Sequence, residues 1–331
     1  MASTRALIAA RARLGSVVAP QAARAFSAGP WKVTLNYQRP PPPGKRTGRY
    51  INQPDKGDCV DEHIPTETLM HDARQLSPAA TLDSCGFTLA NHPTKVANFE
   101  DDDEVARVYY PEMRALIKST SGADRVMIFD HTIRNTANTN LNAAAGGSAA
   151  PVPRVHCDYT ATGAPRRLMQ LAKTNVYSHL RKRVLTEEDF AELGKGRFAF
   201  INVWRNIVDT PVERSPLAAC DTRTVPKDDI FLYELIFPDR TGENYSLRFN
   251  EAHKWYYYPR MVKDEALVFT VYDKREEGPR FVFHTAFTDP LTTPESPARQ
   301  SIEIRGVAFF ADDDMAPSGR SSMVDDDILH E

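Results

Sequence analysis

The segment RVHCDYT, residues 154–160, places a histidine and an aspartate two positions apart. If this segment is a β-strand, its side chains alternate, so His156 and Asp158 share one face and Cys157 points to the other. An imidazole and a carboxylate on one face can occupy neighbouring coordination positions of a metal ion. An isolated pair of this kind also arises by chance as two polar surface residues. The pair predicts a metal centre if the chain supplies a third ligand.

Two histidines further along the chain are candidates for that third ligand. His253 lies in the segment NEAHKWYYYP, and His284 lies in the middle of the apolar segment FVFHTAF. A buried imidazole without a partner is unfavourable, which favours a ligand role for His284. Two histidines and one carboxylate leave coordination positions open, as non-haem Fe(II) oxygenases require for their co-substrate and O₂.

An arginine and a serine follow His284 by fifteen and seventeen residues. Arg299 and Ser301 open the last apolar segment, and residues two apart in a strand share a face. A guanidinium can bind a carboxylate through two parallel hydrogen bonds, and a neighbouring hydroxyl can add another. This pair suits the distal carboxylate of 2-oxoglutarate, whose keto-acid end would chelate iron. The pair, the distant histidine and the His-x-Asp segment together are far more specific than any one of them.

A series of short apolar segments from Arg197 onward would have to position these residues. Each segment is rich in aromatic and β-branched residues, and short polar connections separate them: RFAFINVWRNI, IFLYELIF, NYSLRFN, KWYYYPRM, ALVFTVYD, RFVFHTAF and QSIEIRGVAFF. Many short strands at this spacing indicate a sandwich or a barrel. The sequence therefore predicts a mainly β fold in its second half.

The first half has a more mixed pattern. The proline-rich residues 39–48 favour an extended lead-in over 30–60, since proline fixes φ and lacks an N–H. Periodicity predicts helices over 104–122, where Pro111 interrupts the pattern, and over 164–183. A third helix is predicted over 186–193, with Thr186 and Asp189 as its capping residues. Residues 125–134 read as a buried strand, and residues 135–153 read as a loop.

Composition excludes several classes of partner. The chain has 331 residues, 41 basic and 44 acidic, with a net charge of -3, so nothing predicts binding to nucleic acid. No apolar run reaches the ~20 residues of a transmembrane segment. The four cysteines (Cys59, Cys85, Cys157 and Cys220) are widely spaced, which predicts a reducing compartment without disulfides. The partners that remain are a small-molecule substrate and O₂, and the sequence leaves the oligomeric state open.

Both ends of the chain differ from its middle. Residues 1–29 contain four arginines (Arg5, Arg11, Arg13 and Arg24), and no acidic residue precedes Asp55. This composition is typical of a mitochondrial transit peptide, and the alternative is a disordered leader on a cytoplasmic protein. Residues 312–331 are acidic and polar, which predicts a disordered tail. Residues 30–311 are predicted to form a single domain.

Several distinctive segments resemble the Fe(II)/2-oxoglutarate oxygenase superfamily. The resemblance is closest to the fungal hydroxylase/desaturase family of secondary metabolism, which includes a gibberellin desaturase and a relative from cephamycin methoxylation. The segments run from about Leu35 to about Phe310: TLDSCGFTL, YYPEM, GADRVMIFDHTIR, VHCDYT, INVWRNI, SPLAACD, HKWYYYPRM, DEALVFTVYD, HTAFTDP and ARQSIEIR.

The resemblance implies a double-stranded β-helix, a jelly-roll or cupin-like core with flanking helices in an α+β chain. It implies that His156, Asp158 and His284 hold Fe(II) and that Arg299 binds 2-oxoglutarate. Asn206 departs from the family pattern, since Trp-Arg-Asn stands where Trp-Arg-Pro is expected. His156 and His284 are also 128 residues apart, which requires an insertion, and the predicted helices within 164–193 could form it.

Four further residues could line a substrate pocket: Arg134, Trp204, Arg205 and Tyr257, with His253 as an additional possibility. Each has a plain structural alternative. Aromatic residues such as Trp204 and Trp255 dominate ordinary cores, and the two arginines could pair with carboxylates such as Asp130 or Asp221. His131 is expected to be a structural histidine, and Cys157 is expected to serve packing.

The predicted reaction is the oxidation of an unactivated C–H bond in a small organic molecule, by hydroxylation or desaturation. Fe(II), 2-oxoglutarate and O₂ would be used, and succinate and CO₂ would be formed. Two other classes are compatible with the same residues. One is a metal-dependent hydrolase or isomerase on a cupin-like barrel, in which Arg299 has no role. The other is a non-catalytic relative that acts as a partner protein.

Overall fold

The computed structural model describes residues 29–136, 150–173 and 185–311. Within these residues the chain is mostly β, with few helices. The strands are β1 Trp31–Gln38, β2 Arg46–Tyr50, β3 Cys59–Val60, β4 His63–Asp72, β5 Phe87–Asn91, β6 Arg125–Asn135, β7 Phe198–Asn206, β8 Leu217–Cys220, β9 Ile230–Ile236, β10 Thr241–Leu247, β11 Trp255–Tyr257, β12 Glu265–Asp273, β13 His284–Ala286 and β14 Gln300–Phe309. The α-helices are α1 Asp102–Glu104, α2 Tyr110–Ser121, α3 Gly163–Lys173 and α4 Glu187–Leu193.

The strands form three sheets. The first sheet has the order β1-β4-β11-β8-β13, and the second has the order β5-β12-β7-β14-β6. A third, four-stranded sheet has the order β10-β9-β2-β3. In the second sheet, β14 pairs antiparallel with both β6 and β7, so side chains of these three strands form rows across one face.

The two faces of the second sheet pack against different partners because strand side chains alternate. Ile201 and Val203 of β7 belong to a hydrophobic cluster with Ile117 of α2. Phe200 and Trp204, on the other face of the same strand, belong to a larger cluster that includes side chains of the first sheet. The face that carries Trp204 therefore looks toward the first sheet.

The predicted helix over 104–122 is present as one continuous helical segment, and Pro111 does not interrupt it. A π-helical turn, Val105–Tyr109, connects α1 to α2, and Pro111 lies in the first turn of α2. Proline is tolerated there because the first N–H groups of a helix have no intrahelical acceptor. The capping box is confirmed: the Thr186 hydroxyl accepts from the Asp189 N–H, and the Asp189 carboxylate accepts from the Thr186 N–H. The buried strand predicted over 125–134 is confirmed as β6.

The extended lead-in predicted over 30–60 is wrong, because this part of the chain supplies three strands. β1 pairs with β4 along its whole length, with Val33, Leu35 and Tyr37 buried. The prolines interrupt only the connection between β1 and β2. Strands β4, β5 and β8 were not predicted either. Residues 154–160 are not a continuous strand and form only two isolated bridges, at His156 and Cys157.

Several predictions fall partly or wholly outside the described residues. They are the leader (all but Gly29 of residues 1–29), most of the loop predicted over 135–153, the second half of the helix predicted over 164–183, and the acidic tail 312–331. The domain limits 30–311 and the insertion near 164–193 stay predictions. No helix among the described residues is long and apolar enough to cross a membrane.

Candidate functional site

Three side chains separated in the sequence meet in a cavity between the first and second sheets. Donor atoms of His156, Asp158 and His284 all lie within 4.8 Å of one another. Oδ1 of Asp158 lies 3.5 Å from Nε2 of His156 and 3.7 Å from Nε2 of His284. The two imidazole rings are tilted, with 4.4 Å between their centroids.

A pair of backbone hydrogen bonds brings the two histidines together. The His156 N–H donates to the His284 carbonyl at 3.2 Å, and the His284 N–H donates to the His156 carbonyl at 2.9 Å. The next residue, Cys157, forms the same kind of bridge with Tyr245. Cys157 is buried, and its thiol donates to the Val271 carbonyl at 3.1 Å, which agrees with a packing role. The alternation of side chains holds here although the segment is too short to be a strand.

Hydrogen bonds to backbone carbonyls fix the orientation of both imidazole rings. Nδ1 of His156 lies 2.8 Å from the Arg154 carbonyl oxygen, and Nδ1 of His284 lies 3.1 Å from the Val282 carbonyl oxygen. A carbonyl only accepts, so each Nδ1 carries the proton and each Nε2 has a free lone pair. Both lone pairs face Oδ1 of Asp158, and this tautomer is the one that a metal ligand needs.

The second carboxylate oxygen of Asp158 is held from the second sheet. The Asn202 amide nitrogen donates to Oδ2 at 2.8 Å, and Nε of Arg305 lies 3.9 Å from the same oxygen. Burial alone would raise the pKa of Asp158, but His284, Arg305 and His156 together with the Asn202 amide lower it below its usual range. Burial, with the neighbouring His284 and Arg154, lowers the pKa of His156 well below its usual value. An ionised carboxylate beside a neutral imidazole is a donor set that fits Fe(II).

The metal-ligand candidates share their cavity with two arginines, Arg134 and Arg299, that form no ion pair with any of the residues the structure describes. The cavity is lined by Arg134, Val152, His156, Asp158, Trp204, Leu217, His284, Ala286, Arg299, Glu303 and Arg305. Arg299 is buried, and its Nη1 donates to the Ser215 carbonyl at 2.6 Å. Its guanidinium carbon lies 5.6 Å from the ring centroid of Trp204. Burial and the like charge of Arg134 lower the pKa of Arg299 to about 9.

Ser301 lies beside Arg299 at the start of β14. It is 1% exposed, and its hydroxyl has no hydrogen-bond partner among the described residues. Nε of Arg299 is also buried and has no hydrogen-bond partner among the described residues. Buried donors without partners are rare in folded proteins and call for an explanation. A bound carboxylate would satisfy both groups.

Comparison with known proteins identifies the family. The family model described as "Oxidoreductase/YMDC permease-like domain" matches residues 35–309. The hydroxylase/desaturase efuI of Hormonema carpetanum is 32% identical over 301 residues, which cover 85% of this chain and 95% of the relative. The chain belongs to the fungal hydroxylase/desaturase family of Fe(II)/2-oxoglutarate-dependent dioxygenases.

Other members of this family give the same result. The Fe(II)/2-oxoglutarate-dependent dioxygenase nvfI of Aspergillus novofumigatus is 30% identical over 285 residues, covering 84% of this chain and 91% of the relative. A solved structure of the iron and alpha-ketoglutarate-dependent endoperoxidase NvfI superposes with a TM-score of 0.70 at 26% sequence identity. That superposition covers 85% of this chain and 98% of the solved chain.

Two of the four residues predicted to line a substrate pocket do line the cavity of this family member. Arg134 and Trp204 are part of its wall. Arg205 is not, because it follows Trp204 in β7 and so lies on the opposite face of the sheet. Its guanidinium donates to the His92 carbonyl and lies 5.4 Å from the ring centroid of Tyr109.

Tyr257 and His253 lie apart from this cavity. The Tyr257 hydroxyl donates to Asp289 at 3.2 Å, and its ring packs edge-on against Phe287. His253 is buried between Tyr37, whose hydroxyl lies 3.1 Å from Nδ1, and Asp229, whose carboxylate lies 3.2 Å from Nε2. The structure therefore gives both residues structural partners and brings His284, not His253, to His156 and Asp158.

The structure also shows the contacts of the residues that were expected to have structural roles. His131 lies between the Tyr110 hydroxyl, 2.9 Å from Nδ1, and Asp102, 3.2 Å from Nε2, away from the cavity. Trp255 is part of the core, and its indole N–H donates to the Tyr37 hydroxyl at 2.7 Å. The carboxylates suggested as partners for Arg134 and Arg205 pair with other arginines: Asp130 with Arg305 at 3.3 Å, and Asp221 with Arg223 at 2.7 Å.

Asn206, the departure from the family pattern, ends β7. Its amide nitrogen donates to the Val208 carbonyl at 2.9 Å and to the Thr210 carbonyl at 2.7 Å. These bonds fold the chain back after the strand. Asn206 also lies directly opposite Ser301 in the sheet.

Sequence reasoning missed three polar residues of the site: Asn202, Glu303 and Arg305. Arg305 donates to Glu303 at 2.6 Å and to the Thr132 hydroxyl at 2.9 Å, and it approaches Asp158. The sequence contains a pattern that could have identified Glu303 and Arg305. In ARQSIEIR, polar residues occupy every second position from Ser301 to Arg305, with isoleucine at positions 302 and 304 between them, which is typical of one polar face on a buried strand.

Proposed function

We propose that this protein oxidises a C–H bond of a small, secondary-metabolite-like organic molecule, using Fe(II), 2-oxoglutarate and O₂. The observation that carries the proposal is the meeting, in one cavity, of the His156–Asp158–His284 cluster and the buried Arg299, which forms no ion pair among the described residues. The first group suits a divalent metal ion, and the second suits a carboxylate.

His156, Asp158 and His284 would hold the iron. Bound there, Fe(II) with 2-oxoglutarate and O₂ supplies the oxidation of an unactivated C–H bond, and succinate and CO₂ are released. The protein contributes binding, orientation and the exclusion of water. Asn202 and Arg305 keep Asp158 ionised and turned toward the two histidines.

Arg299 and Ser301 would bind the distal carboxylate of 2-oxoglutarate. The guanidinium is already oriented by the Ser215 carbonyl and the Trp204 ring, so little ordering is needed when the ligand binds. Val152, Trp204, Leu217 and Ala286 form the apolar part of the wall. A water-poor cavity strengthens the charge-assisted hydrogen bonds within it.

The fold that we propose is a double-stranded β-helix, a jelly-roll or cupin-like core. Its support is the placement of the metal-ligand candidates beside one sheet and of Asn202, Trp204, Ser301 and Arg305 in the other. The TM-score of 0.70 with the solved endoperoxidase NvfI agrees with this fold.

The reaction outcome that we propose is hydroxylation or desaturation. The printed names of the relatives support it, since efuI and the Cercospora beticola protein CTB9 are both named hydroxylase/desaturase. CTB9 is 30% identical over 251 residues, covering 70% of this chain and 72% of the relative.

Formation of succinate from 2-oxoglutarate tests the proposal. With Fe(II), 2-oxoglutarate and O₂, and with ascorbate supplying the two electrons that the unidentified substrate would otherwise give, the wild-type protein should form succinate, and His284→Ala should form at least tenfold less. A metal-dependent hydrolase or isomerase with the same ligands, or a non-catalytic partner protein, would form none. Absence of Fe(II)-dependent succinate in the wild type would contradict the proposal.

We also propose, on composition alone, that residues 1–29 direct the protein to mitochondria. Four arginines without an acidic residue support this location. A fusion of residues 1–29 to a fluorescent reporter should reach the mitochondrial matrix of a fungal cell. Fluorescence only in the cytosol would contradict it.

A further inference from the structure

We propose that Arg134 is a second binding residue for the co-substrate. Its guanidinium and that of Arg299 would hold the same distal carboxylate of 2-oxoglutarate, with the Ser301 hydroxyl between them. The inference rests on the proposed function, because it concerns how that cavity binds its co-substrate. It assigns Arg134 to the co-substrate, whereas the sequence suggested the substrate.

The register of the second sheet brings the three groups together. Arg134 of β6 lies directly opposite Ser301 of β14, and Arg299 precedes Ser301 by two residues on the same face. Residues directly opposite in antiparallel strands have Cβ atoms about 4.5–5.5 Å apart and point the same way. Both arginines also line the cavity that holds the metal-ligand candidates. One carboxylate can therefore lie within reach of both guanidinium groups and the hydroxyl.

The two arginines have no ion pair of their own among the described residues, although the Glu303 carboxylate attracts both of them. Arg134 donates to the Ala150 carbonyl at 2.5 Å, and Arg299 donates to the Ser215 carbonyl at 2.6 Å. Glu303, the acidic residue that follows on the same face, already accepts from Arg305 at 2.6 Å. Arg299 is buried and Arg134 is half-buried, and the single carboxylate of Glu303 does not balance the three arginines of this cavity. An anionic ligand would supply the remaining counter-charge.

The charges of these two residues also affect each other. Burial lowers the pKa of Arg134, and burial followed by repulsion from Arg134 lowers the pKa of Arg299. An anion placed between two cations is attracted by both, so it binds more strongly than it would to either cation alone. Arg134 should therefore contribute to the affinity for the distal carboxylate and to nothing at the keto-acid end.

A pair of ligands separates these contributions. 2-Oxopentanoate has the same keto-acid end as 2-oxoglutarate and a methyl group in place of the distal carboxylate. The experiment is calorimetric titration of each ligand into the anaerobic Fe(II) protein. Arg134→Gln removes the charge at the site. Arg125→Gln is the matched control, because Arg125 lies at the other end of β6 in a partly exposed ion pair with Asp189.

We expect Arg134→Gln to weaken 2-oxoglutarate binding at least tenfold and to change 2-oxopentanoate binding less than twofold. Arg125→Gln should leave both affinities unchanged. If Arg134→Gln does not fold, Arg134→Lys supplies the same comparison, with a loss of at least threefold for 2-oxoglutarate alone, since an ammonium lacks the planar fork.

Two results would overturn the inference. If 2-oxoglutarate binds Arg134→Gln within twofold of the wild type, the arginine faces the substrate. If both ligands lose affinity equally, Arg134 has a structural role. A wild-type protein that binds no 2-oxoglutarate would instead contradict the proposed function, so the two failures are distinguishable.

Discussion

The asparagine behind the metal-ligand aspartate gives the sharpest mutational prediction. Asn202 is fully buried in β7, and its amide nitrogen donates to Oδ2 of Asp158 at 2.8 Å. Asn202→Leu keeps a side chain of comparable size and removes the donor. Asp158 then loses the bond that turns Oδ1 toward the two histidines. We expect weaker binding of Fe(II).

The size of the effect follows from the contacts of that oxygen. A hydrogen bond to an ionised group contributes roughly 1.5–3 kcal/mol. Nε of Arg305 stays 3.9 Å from the same oxygen and can compensate for part of the loss. Residues that orient a metal ligand typically change metal affinity by about 10- to 100-fold. We therefore expect Asn202→Leu to lower the affinity for Fe(II) by an amount near the lower end of this range, about tenfold.

The assay is anaerobic titration of Fe(II) against a competing chelator, with thermal unfolding as the check that the variant is folded. Asn250→Leu is the matched control, because the Asn250 amide donates to a different carboxylate, Asp229, at 2.7 Å. The control should bind Fe(II) as the wild type does. A folded Asn202→Leu variant whose affinity is within twofold of the wild type would refute the reasoning.

The remaining predictions concern the other site residues and one buried histidine. His284→Ala should abolish stoichiometric Fe(II) binding in a metal titration. His253→Ala should not, because His253 contacts Tyr37 and Asp229 and lies away from the cavity. The reverse result would mean that the third ligand is misassigned. In calorimetric titration, Arg299→Ala should weaken 2-oxoglutarate binding at least tenfold and leave iron affinity nearly unchanged. Arg299→Lys should recover only part of that loss. If Arg299→Ala binds 2-oxoglutarate as tightly as the wild type, Arg299 has a structural role. Burial lowers the pKa of His253 below its usual value of 6.5. As the pH falls, His253 is therefore protonated in the unfolded chain before it is protonated in the folded chain, so the free energy of unfolding decreases. Urea unfolding between about pH 5 and pH 7 should show this slope, smaller in His253→Gln; an equal slope in the variant would contradict it.

Period-two patterns made part of the fold predictable. The aromatic and β-branched segments after Arg197 all contain strands, although the strand around His284 has only three residues. The same pattern is present in β1, where Val33, Leu35 and Tyr37 alternate with polar residues. The proline-rich residues 39–48 that follow β1 favour an extended connection and do not extend the pattern. Strand order and register depend on contacts between distant parts of the chain, which local patterns do not encode.

The site was predictable where residue type and alternation agree. His156, Asp158 and Arg299 were found in this way, and the structure brings His284 to them. Strict alternation also shows that adjacent Trp204 and Arg205 cannot both face one cavity. Asn202 gave no such signal, because a single amide in an apolar strand has no recognisable chemistry until its partner is known. Its role depends on the position of Asp158 across the cavity.

The most direct test of the central claim is the visible absorption spectrum of the anaerobic Fe(II) protein during titration with 2-oxoglutarate. If the keto acid chelates iron held by His156, Asp158 and His284, a weak metal-to-ligand charge-transfer band should grow in and saturate at one equivalent of each. The band should be absent in His284→Ala and should require more 2-oxoglutarate in Arg299→Ala. A wild-type protein that binds Fe(II) but shows no band at saturating 2-oxoglutarate would contradict the account.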